Sequence, residues 1–230
     1  MLEIANLNAG YGRSQVLFDI NISVKRGECV CLLGRNGMGK TTTMRAAMNL
    51  TPPTSGSVKF DGRDLAGRSP YEITRMGLSL VPEDRRIFAD LTVQENIEVA
   101  DAGGEWTVKR VFELFPELAE FSSRKGGLLS GGQQQMLTIA RSLMTSPKLL
   151  LLDEPSEGLA PLVVQRLKEQ IIELKKSGLT LVLAEQSLAF CLSVSERVYV
   201  LEKGVVRHTG DTKAFAQDHA LQTQLLGVGH

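Results

Sequence analysis

A glycine-rich segment near the start of the chain constrains the fold more than any other feature. It matches the pattern G-x-x-x-x-G-K-[ST] and reads, in order, Gly34, Arg35, Asn36, Gly37, Met38, Gly39, Lys40 and Thr41. A short apolar segment, Cys29 to Leu33, precedes it, and a helix-forming segment follows. Glycines allow backbone N–H groups to turn towards phosphate oxygens, and a helix N-terminus favours a bound anion. The pattern therefore predicts a phosphate-binding loop between a strand and a helix.

The side chains at the end of this segment suit a bound nucleotide. The ammonium group of Lys40 is expected to reach the β- and γ-phosphates. The hydroxyl of Thr41 is expected to ligate Mg²⁺, and Thr42 is expected to contact the α-phosphate.

A second apolar segment ends in two acidic residues. Leu149 to Leu152 predicts a buried strand, and Asp153 and Glu154 follow it directly. Ligands of open α/β sheets bind beyond the carboxyl ends of the strands. We therefore expect Asp153 to belong to the Mg²⁺ shell and Glu154 to orient or deprotonate the attacking water.

The composition is that of a globular protein without a strong charge bias. The chain has 230 residues, 43% of them apolar, which fits one domain over residues 1–230. Lys and Arg number 26, as do Asp and Glu, so no basic surface for nucleic acid is indicated. The start at Met1 lacks signal-peptide features, and no apolar run reaches the roughly 18 residues of a membrane-spanning helix. Cys29, Cys31 and Cys191 have no metal-binding spacing and are expected to be small buried residues.

Strands and helices are predicted to alternate along the chain. Apolar residues at 20, 22 and 24 alternate with polar ones, as in a half-buried strand, and the pair Asp61-Gly62 indicates a hairpin turn. Thr92 to Glu95 forms a capping box, and an apolar helix face that begins at Val108 stops at Pro116. Leu179 to Ala184 predicts another buried strand. Such alternation indicates a parallel α/β sheet.

A third motif narrows the choice of protein family. Leu129 is followed by the four signature residues Ser130, Gly131, Gly132 and Gln133. A serine and two glycines at a helix start form a second anion site. With these three motifs the chain resembles the ABC ATPase family, whose signature sequence is LSGGQ, over nearly its whole length.

The resemblance implies a fold and a reaction. The fold is an α/β P-loop NTPase of the ABC ATPase type. Its sheet core is mixed or parallel, with an N-terminal antiparallel β part and a small helical subdomain inserted at about residues 84–145. The cofactors implied are ATP and Mg²⁺, and the reaction is ATP hydrolysis. The signature loop caps the ATP held by the other subunit in this family, which implies a head-to-tail dimer with two shared sites.

Further residues are matched to the family by position. Tyr11 matches the aromatic residue that stacks on adenine. Glu83 occupies the Q-loop position, where we expect it to act in catalysis and to be one of the Mg²⁺-binding residues. Gln186 occupies the switch position, where we expect it to act in catalysis. Glu83, Ala160 and Gln186 depart from the commonest pattern, which has glutamine, aspartate and histidine at these places.

The segments around these three positions resemble those of one subfamily. The segments 81–88, 91–96 and 153–161, together with Glu185-Gln186, are similar to the LivF-type ATPases of branched-chain amino-acid importers. The implied partners are a second ABC ATPase subunit, identical or different, two integral membrane permease subunits and, indirectly, an external solute-binding protein, with no nucleic acid. The implied location is the cytoplasmic side of the membrane, reached through the permease subunits. Ile87 and Phe88 are candidates to receive a helix of a permease subunit.

Three alternatives stay open. Ser156-Glu157-Gly158 also resembles the importers of urea and short-chain amides. A soluble ABC protein of translation or repair usually carries paired cassettes or a long insertion, and neither is present in this sequence. A nucleotide-gated module with weak hydrolysis is motivated by the three departures. The histidines, at 208, 219 and 230, all follow the nucleotide motifs, so none is expected in the catalytic step.

Overall fold

The computed structural model describes residues 1–227, which form two β-sheets flanked by α-helices. The strands are β1 (Leu2–Tyr11), β2 (Ser14–Val24), β3 (Cys29–Leu33), β4 (Ser55–Phe60), β5 (Arg63–Asp64), β6 (Leu78–Val81), β7 (Leu149–Asp153), β8 (Thr180–Glu185), β9 (Arg197–Glu202) and β10 (Val205–Asp211). The helices are α1 (Lys40–Ala47), α2 (Pro70–Met76), α3 (Val93–Glu98), α4 (Val108–Leu114), α5 (Pro116–Glu120), α6 (Gly131–Leu143), α7 (Pro161–Lys176), α8 (Leu188–Val194), α9 (Thr212–Gln217) and α10 (His219–Leu226). A short 3₁₀ helix spans Gly126–Leu128.

The two sheets differ in strand direction. One sheet has the order β2-β1-β4-β5, and its strands pair antiparallel. The other has the order β10-β9-β3-β8-β7-β6, and its strands from β9 to β6 are parallel, with β10 antiparallel at the edge. This confirms the fold class, an α/β P-loop fold with an antiparallel N-terminal part and helices inserted between β6 and β7.

Strand β7 separates two apolar cores. Its side chains alternate, so Leu149 and Leu151 pack with the antiparallel sheet and α1, whereas Leu150 and Leu152 pack with the inserted helices and α7. Both faces of the mostly parallel sheet are covered. Its central strands β3, β7 and β8 are therefore buried along their whole length and consist mainly of consecutive apolar residues.

Local sequence signals mark several element ends. Asp61 and Gly62 both have positive φ, 47° and 74°, and connect β4 to β5 as the predicted hairpin turn. Thr92 and Glu95 form the predicted capping box at the start of α3. Helix α4 ends before Pro116, which begins α5, because proline cannot supply the N–H of a continuing helix.

The parallel strands bring distant segments to one edge of the sheet. Leu33 at the end of β3 lies opposite Glu185 at the end of β8, and Asp153 at the end of β7 lies opposite Ala184. The three loops that follow these strands therefore start side by side. Within residues 1–227, no helix has the length and apolar character that crossing a membrane requires.

Candidate ATP site

The glycine-rich loop joins β3 to α1 in a conformation that other residues adopt poorly. Gly37 and Gly39 have φ of 76° and 100°, and Gly39 is the N-cap of α1. A Cβ atom on Gly34 would lie 2.6 Å from the carbonyl oxygen of Leu201, so a side chain there would force the backbone apart. The loop thereby turns back over the first residue of α1.

That residue, Lys40, is buried beneath the loop. Its ammonium group donates hydrogen bonds to the carbonyl oxygens of Gly34 and Arg35, at 2.8 and 3.0 Å. It also forms an ion pair with Glu154, with 3.0 Å between Nζ and Oε1. The loop, the lysine and the acidic end of β7 thus form one cluster.

A hydroxyl and a carboxylate meet beside this cluster. Thr41 Oγ1 donates to Asp153 Oδ1 at 3.0 Å. Burial raises the pKa of Asp153 to about 6, against the lowering effect of the Thr41 hydrogen bond. The charges of Glu154 and of Glu83, which is exposed just after β6, add to the raised pKa of Asp153. Such oxygen ligands are the type that Mg²⁺ prefers.

The Glu154 carboxylate is held from several sides. Its backbone has a positive φ of 46°, a conformation unusual for a non-glycine residue. Gln186, which follows β8, donates from Nε2 to Glu154 Oε2 at 2.6 Å. Burial alone would raise the pKa of Glu154, but hydrogen bonds with Glu157, Lys40 and Gln186 outweigh it and lower that pKa. The carboxylate is therefore ionised at neutral pH.

Two further acidic residues near Glu154 were not among the expected site residues. Glu185 is buried, and its Oε1 accepts from the backbone N–H of Ser156 at 3.1 Å. Its pKa is raised by burial. Glu157 has its carboxyl group hydrogen-bonded to that of Glu154. The signal available in the sequence was the density of carboxylates, since Glu185 is the last residue of β8 and Glu157 follows the end of β7 by four residues.

The remaining loop residues and Tyr11 flank this cluster. Tyr11 ends β1 and is half exposed, and its hydroxyl lies 3.4 Å from Thr42 Oγ1. An open cavity of about 740 Å³ borders the loop, and Gly34, Arg35, Asn36, Met38, Gln186, Leu188, Leu226 and Gly227 line it.

The signature residues lie at the start of α6, where the first and the last of them are joined by hydrogen bonds. Ser130 is the N-cap, and its Oγ accepts from the N–H of Gln133 while Gln133 Oε1 accepts from the N–H of Ser130. A Cβ on Gly131 would lie 2.8 Å from Arg85 Nη1, and one on Gly132 would lie 2.7 Å from Val163 Cγ1. Close packing against the branched Val163 side chain therefore favours glycine at 132, whereas the flexible Arg85 side chain can move away from a Cβ at 131.

Helix α6 is also tied to the segment that carries Glu83. Thr138 Oγ1 donates to the carbonyl oxygen of Arg85 at 2.8 Å, and Arg141 Nη2 donates to that of Arg86 at 2.7 Å. The described histidines, at 208 and 219, lie on β10 and α10, and His230 lies outside the described residues.

The chain matches the ABC transporter family over residues 17–157. It is 43% identical over 217 residues to the high-affinity branched-chain amino acid transport ATP-binding protein BraG of Pseudomonas aeruginosa, covering 90% of this chain and 92% of that protein. It is 32% identical to the probable branched-chain amino acid transport ATP-binding protein LivF of Archaeoglobus fulgidus, over 99% of both chains. It is also 32% identical to the lipopolysaccharide export system ATP-binding protein LptB of Escherichia coli, over 97% of this chain and 96% of that one.

Solved structures of the family have the same fold. A nucleotide-free ATP-binding cassette from an ABC transporter superposes with a TM-score of 0.86 at 25% identity, covering 100% of this chain and 99% of the other. A dimeric bacterial ABC transporter cassette superposes with a TM-score of 0.81 at 26% identity, covering 92% of this chain and 99% of the other. The chain belongs to the ABC transporter family and is a LivF-type ATP-binding subunit that hydrolyses ATP.

Proposed function

We propose that this ATPase, with Mg²⁺ as its metal, powers the import of branched-chain amino acids. The observation that carries the proposal is the 43% identity to BraG over 90% of the chain. Identity to LivF and to LptB is equal, at 32%, so it is the higher identity to BraG that favours import over export.

The side chains of the cluster divide the reaction among them. Lys40 binds the β- and γ-phosphates once it leaves Glu154, and backbone N–H groups of residues 34–39 surround the phosphate oxygens. Thr41, Asp153 and Glu83 would hold Mg²⁺, and the ion would neutralise charge on the phosphates. Glu154 accepts the proton of the attacking water, and Gln186 orients Glu154. Thr42 serves the α-phosphate and Tyr11 the adenine ring.

The working unit is a dimer with permease subunits. Ser130, Gly131, Gly132 and Gln133 cap the ATP of the partner ATPase, which is a second copy or a sister subunit. The chain occupies the cytoplasmic side of the membrane through two permease subunits. Residues 1–230 form one ABC ATPase domain, with the helical subdomain at about 84–145.

A permease helix docks beside the segment that carries Glu83. Phe88 is 49% exposed, and the guanidinium group of Arg141 lies over its ring. The distance from the guanidinium carbon to the ring centre is 5.0 Å. An adjoining cavity of about 330 Å³ is lined partly by apolar groups of Leu50, Leu80 and Ala100. The apolar lining, and the hydrogen bonds that α6 donates to the carbonyl oxygens of Arg85 and Arg86, support this groove as the point where nucleotide state reaches the permease.

Uptake by cells tests the transported solute. In the host, the gene for this chain is deleted, and uptake of radiolabelled leucine, isoleucine, valine and urea is measured. We expect amino-acid uptake to fall and wild-type chain to restore it, whereas Lys40→Ala does not. Lys59→Ala, at an exposed position of β4, is the control and should restore uptake fully.

Other outcomes point to other functions. Loss of urea uptake alone would assign the chain to the urea and short-chain amide importers. Unchanged uptake with a defect in surface lipopolysaccharide would assign it to export. A purified wild-type chain without steady-state ATPase activity would instead favour the nucleotide-gated module with weak hydrolysis.

A further inference from the structure

Glu157 lies in the loop between β7 and α7, three residues beyond Glu154. Its carboxyl group is hydrogen-bonded to the carboxyl group of Glu154. The same Gln186 Nε2 that lies 2.6 Å from Glu154 Oε2 lies 3.4 Å from Glu157 Oε2. Three side chains from two loops therefore form a closed polar cluster.

The neighbouring groups determine which of the two carboxyl groups donates the hydrogen bond between them. Both oxygens of Glu154 face donors, since Lys40 Nζ lies 3.0 Å from Oε1 and Gln186 Nε2 lies 2.6 Å from Oε2. Glu154 is therefore the acceptor of the pair, and the proton shared by the two carboxyl groups belongs to Glu157. The hydrogen bond to Glu154 is the main cause that raises the pKa of Glu157 to about 7, and the nearby charge of Glu83 adds to it while Lys40 opposes it. A protonated Glu157 donates to Glu154, and its other oxygen accepts from Gln186.

Glu157 also limits how the Gln186 amide is turned. A glutamine side chain has one donor end and one acceptor end, and both neighbouring groups offer oxygen acceptors. Its NH₂ end therefore faces Glu154 and Glu157, and its Oε1 faces away from them. Without Glu157, one of the two hydrogen bonds that Gln186 donates within residues 1–227 would be lost.

We propose that Glu157 is a positioning residue for ATP hydrolysis, which holds the Glu154 carboxylate and the Gln186 amide in one arrangement. This inference rests on the proposed role of Glu154 as the base. The loop that carries Glu157 is anchored by its own backbone, since Glu157 N–H donates to the Glu154 carbonyl oxygen at 3.2 Å and Ser156 N–H donates to Glu185. The position of this loop thus determines the orientation of the base.

Substitutions of Glu157 separate positioning from charge. Glu157→Ala removes both contacts, and we expect kcat to fall about 10-fold with KM and the Kd for ATP changed less than about 2-fold. Glu157→Gln resembles the protonated carboxyl group, since its amide can donate to Glu154 and accept from Gln186, and we expect kcat within about 3-fold of wild type. Glu120→Gln, on the exposed side of α5, is the control.

A double-mutant cycle tests whether Glu157 acts through Gln186. If it does, Glu157→Ala in a Gln186→Ala background should lower kcat by less than about 3-fold, well short of its effect in the wild type. Unfolding in urea verifies that each variant is folded. Additive effects, a normal kcat in Glu157→Ala, or a loss in Glu157→Gln as large as in Glu157→Ala would overturn the inference.

The failure of the inference differs from the failure of the proposed base. If Glu154→Gln turns over ATP like the wild type, the role of Glu154 is wrong and Glu157 has no base to position. If Glu154→Gln is inactive while Glu157→Ala is normal, only the inference about Glu157 is wrong.

Discussion

Lys40 and Glu154 form a buried ion pair that joins the glycine-rich loop to the end of β7. The Nζ and Oε1 atoms are 3.0 Å apart, and the two side chains are 2% and 6% exposed. The pair occupies the two groups proposed to bind phosphate and to activate water. If Lys40 binds phosphate as proposed, nucleotide replaces Glu154 as its partner before hydrolysis begins.

Glu154→Gln keeps the shape of the side chain and removes both the charge and the base. We expect ATP to bind, hydrolysis to be very slow, and an ATP-bound dimer to accumulate on size exclusion. Removing one partner of a buried ion pair leaves the other charge uncompensated, at a cost of about 3–5 kcal/mol. The nucleotide-free variant should therefore have a lower Tm than the wild type. ATP should raise the Tm of the variant by more than it raises the Tm of the wild type. Wild-type turnover in this variant would show that Glu154 is not the base.

Shared sites can be tested by mixing two inactive variants. Lys40→Ala removes the phosphate contact of one site, and Ser130→Arg places a bulky charge at the signature. A mixed dimer carries one intact site, formed by Lys40 of the Ser130→Arg chain and Ser130 of the Lys40→Ala chain. Mixing the variants should restore part of the ATPase activity, measured by phosphate release. No recovery in verified mixed dimers would contradict cross-subunit sites in the homodimer.

Phe88→Ala should uncouple the ATPase from its permease. The substitution keeps the backbone hydrogen bonds between residue 88 and Asn96, one of which is the 2.9 Å bond from Phe88 N to Asn96 Oδ1. Transport and substrate-stimulated ATPase activity of the reconstituted complex should fall more than ATP binding by the isolated chain. Tyr71→Ala, at another exposed aromatic residue, is the control. An equal loss of all three activities would indicate a role of Phe88 in packing instead.

Gln186 is expected to act by geometry, because an amide carries no titratable proton. Gln186→Ala should lower kcat by about 10- to 1000-fold through loss of one stabilising contact. Gln186→His should keep activity and can add an acidic limb near pH 6.5 to the pH–rate profile, since imidazole has a pKa of about 6.5. A near-normal kcat in Gln186→Ala would remove this residue from the mechanism.

Asp153 should make the metal-free protein less stable as the pH rises. Burial raises its pKa to about 6 in the folded state from 3.8, so the folded chain binds the proton more tightly than the unfolded chain does. Its contribution is fully present below pH 3.8 and is lost as the pH rises through about 6. In EDTA, Asp153→Asn should raise the free energy of unfolding by up to about 3 kcal/mol at pH 8 and by less at pH 5.

Urea unfolding at the two pH values checks this difference. Asp90→Asn, which changes an exposed carboxylate, is the matched control and should have a small effect at both. A gain from Asp153→Asn that is the same at pH 5 and pH 8 would contradict the role of burial.

The amino-acid sequence alone determined the features that depend on neighbouring residues. The glycine-rich loop between β3 and α1 follows from a few residues whose φ angles require glycine. The capping boxes at Thr92 and Ser130 are equally local, since each joins an N-cap to the residue three positions later. The resemblance to the ABC ATPase family extended these local predictions to the fold class.

Only the tertiary structure decided which distant groups meet. The order β3-β8-β7 places Lys40, Glu154 and Gln186 at one edge of the sheet, although they are far apart along the chain. The sequence predicted that these residues belong to one site, but it did not predict the Lys40–Glu154 ion pair or the contact of Glu157 with Glu154. Such contacts depend on strand order, on register and on a positive φ at Glu154, and these are set by packing across the whole sheet rather than by local propensity.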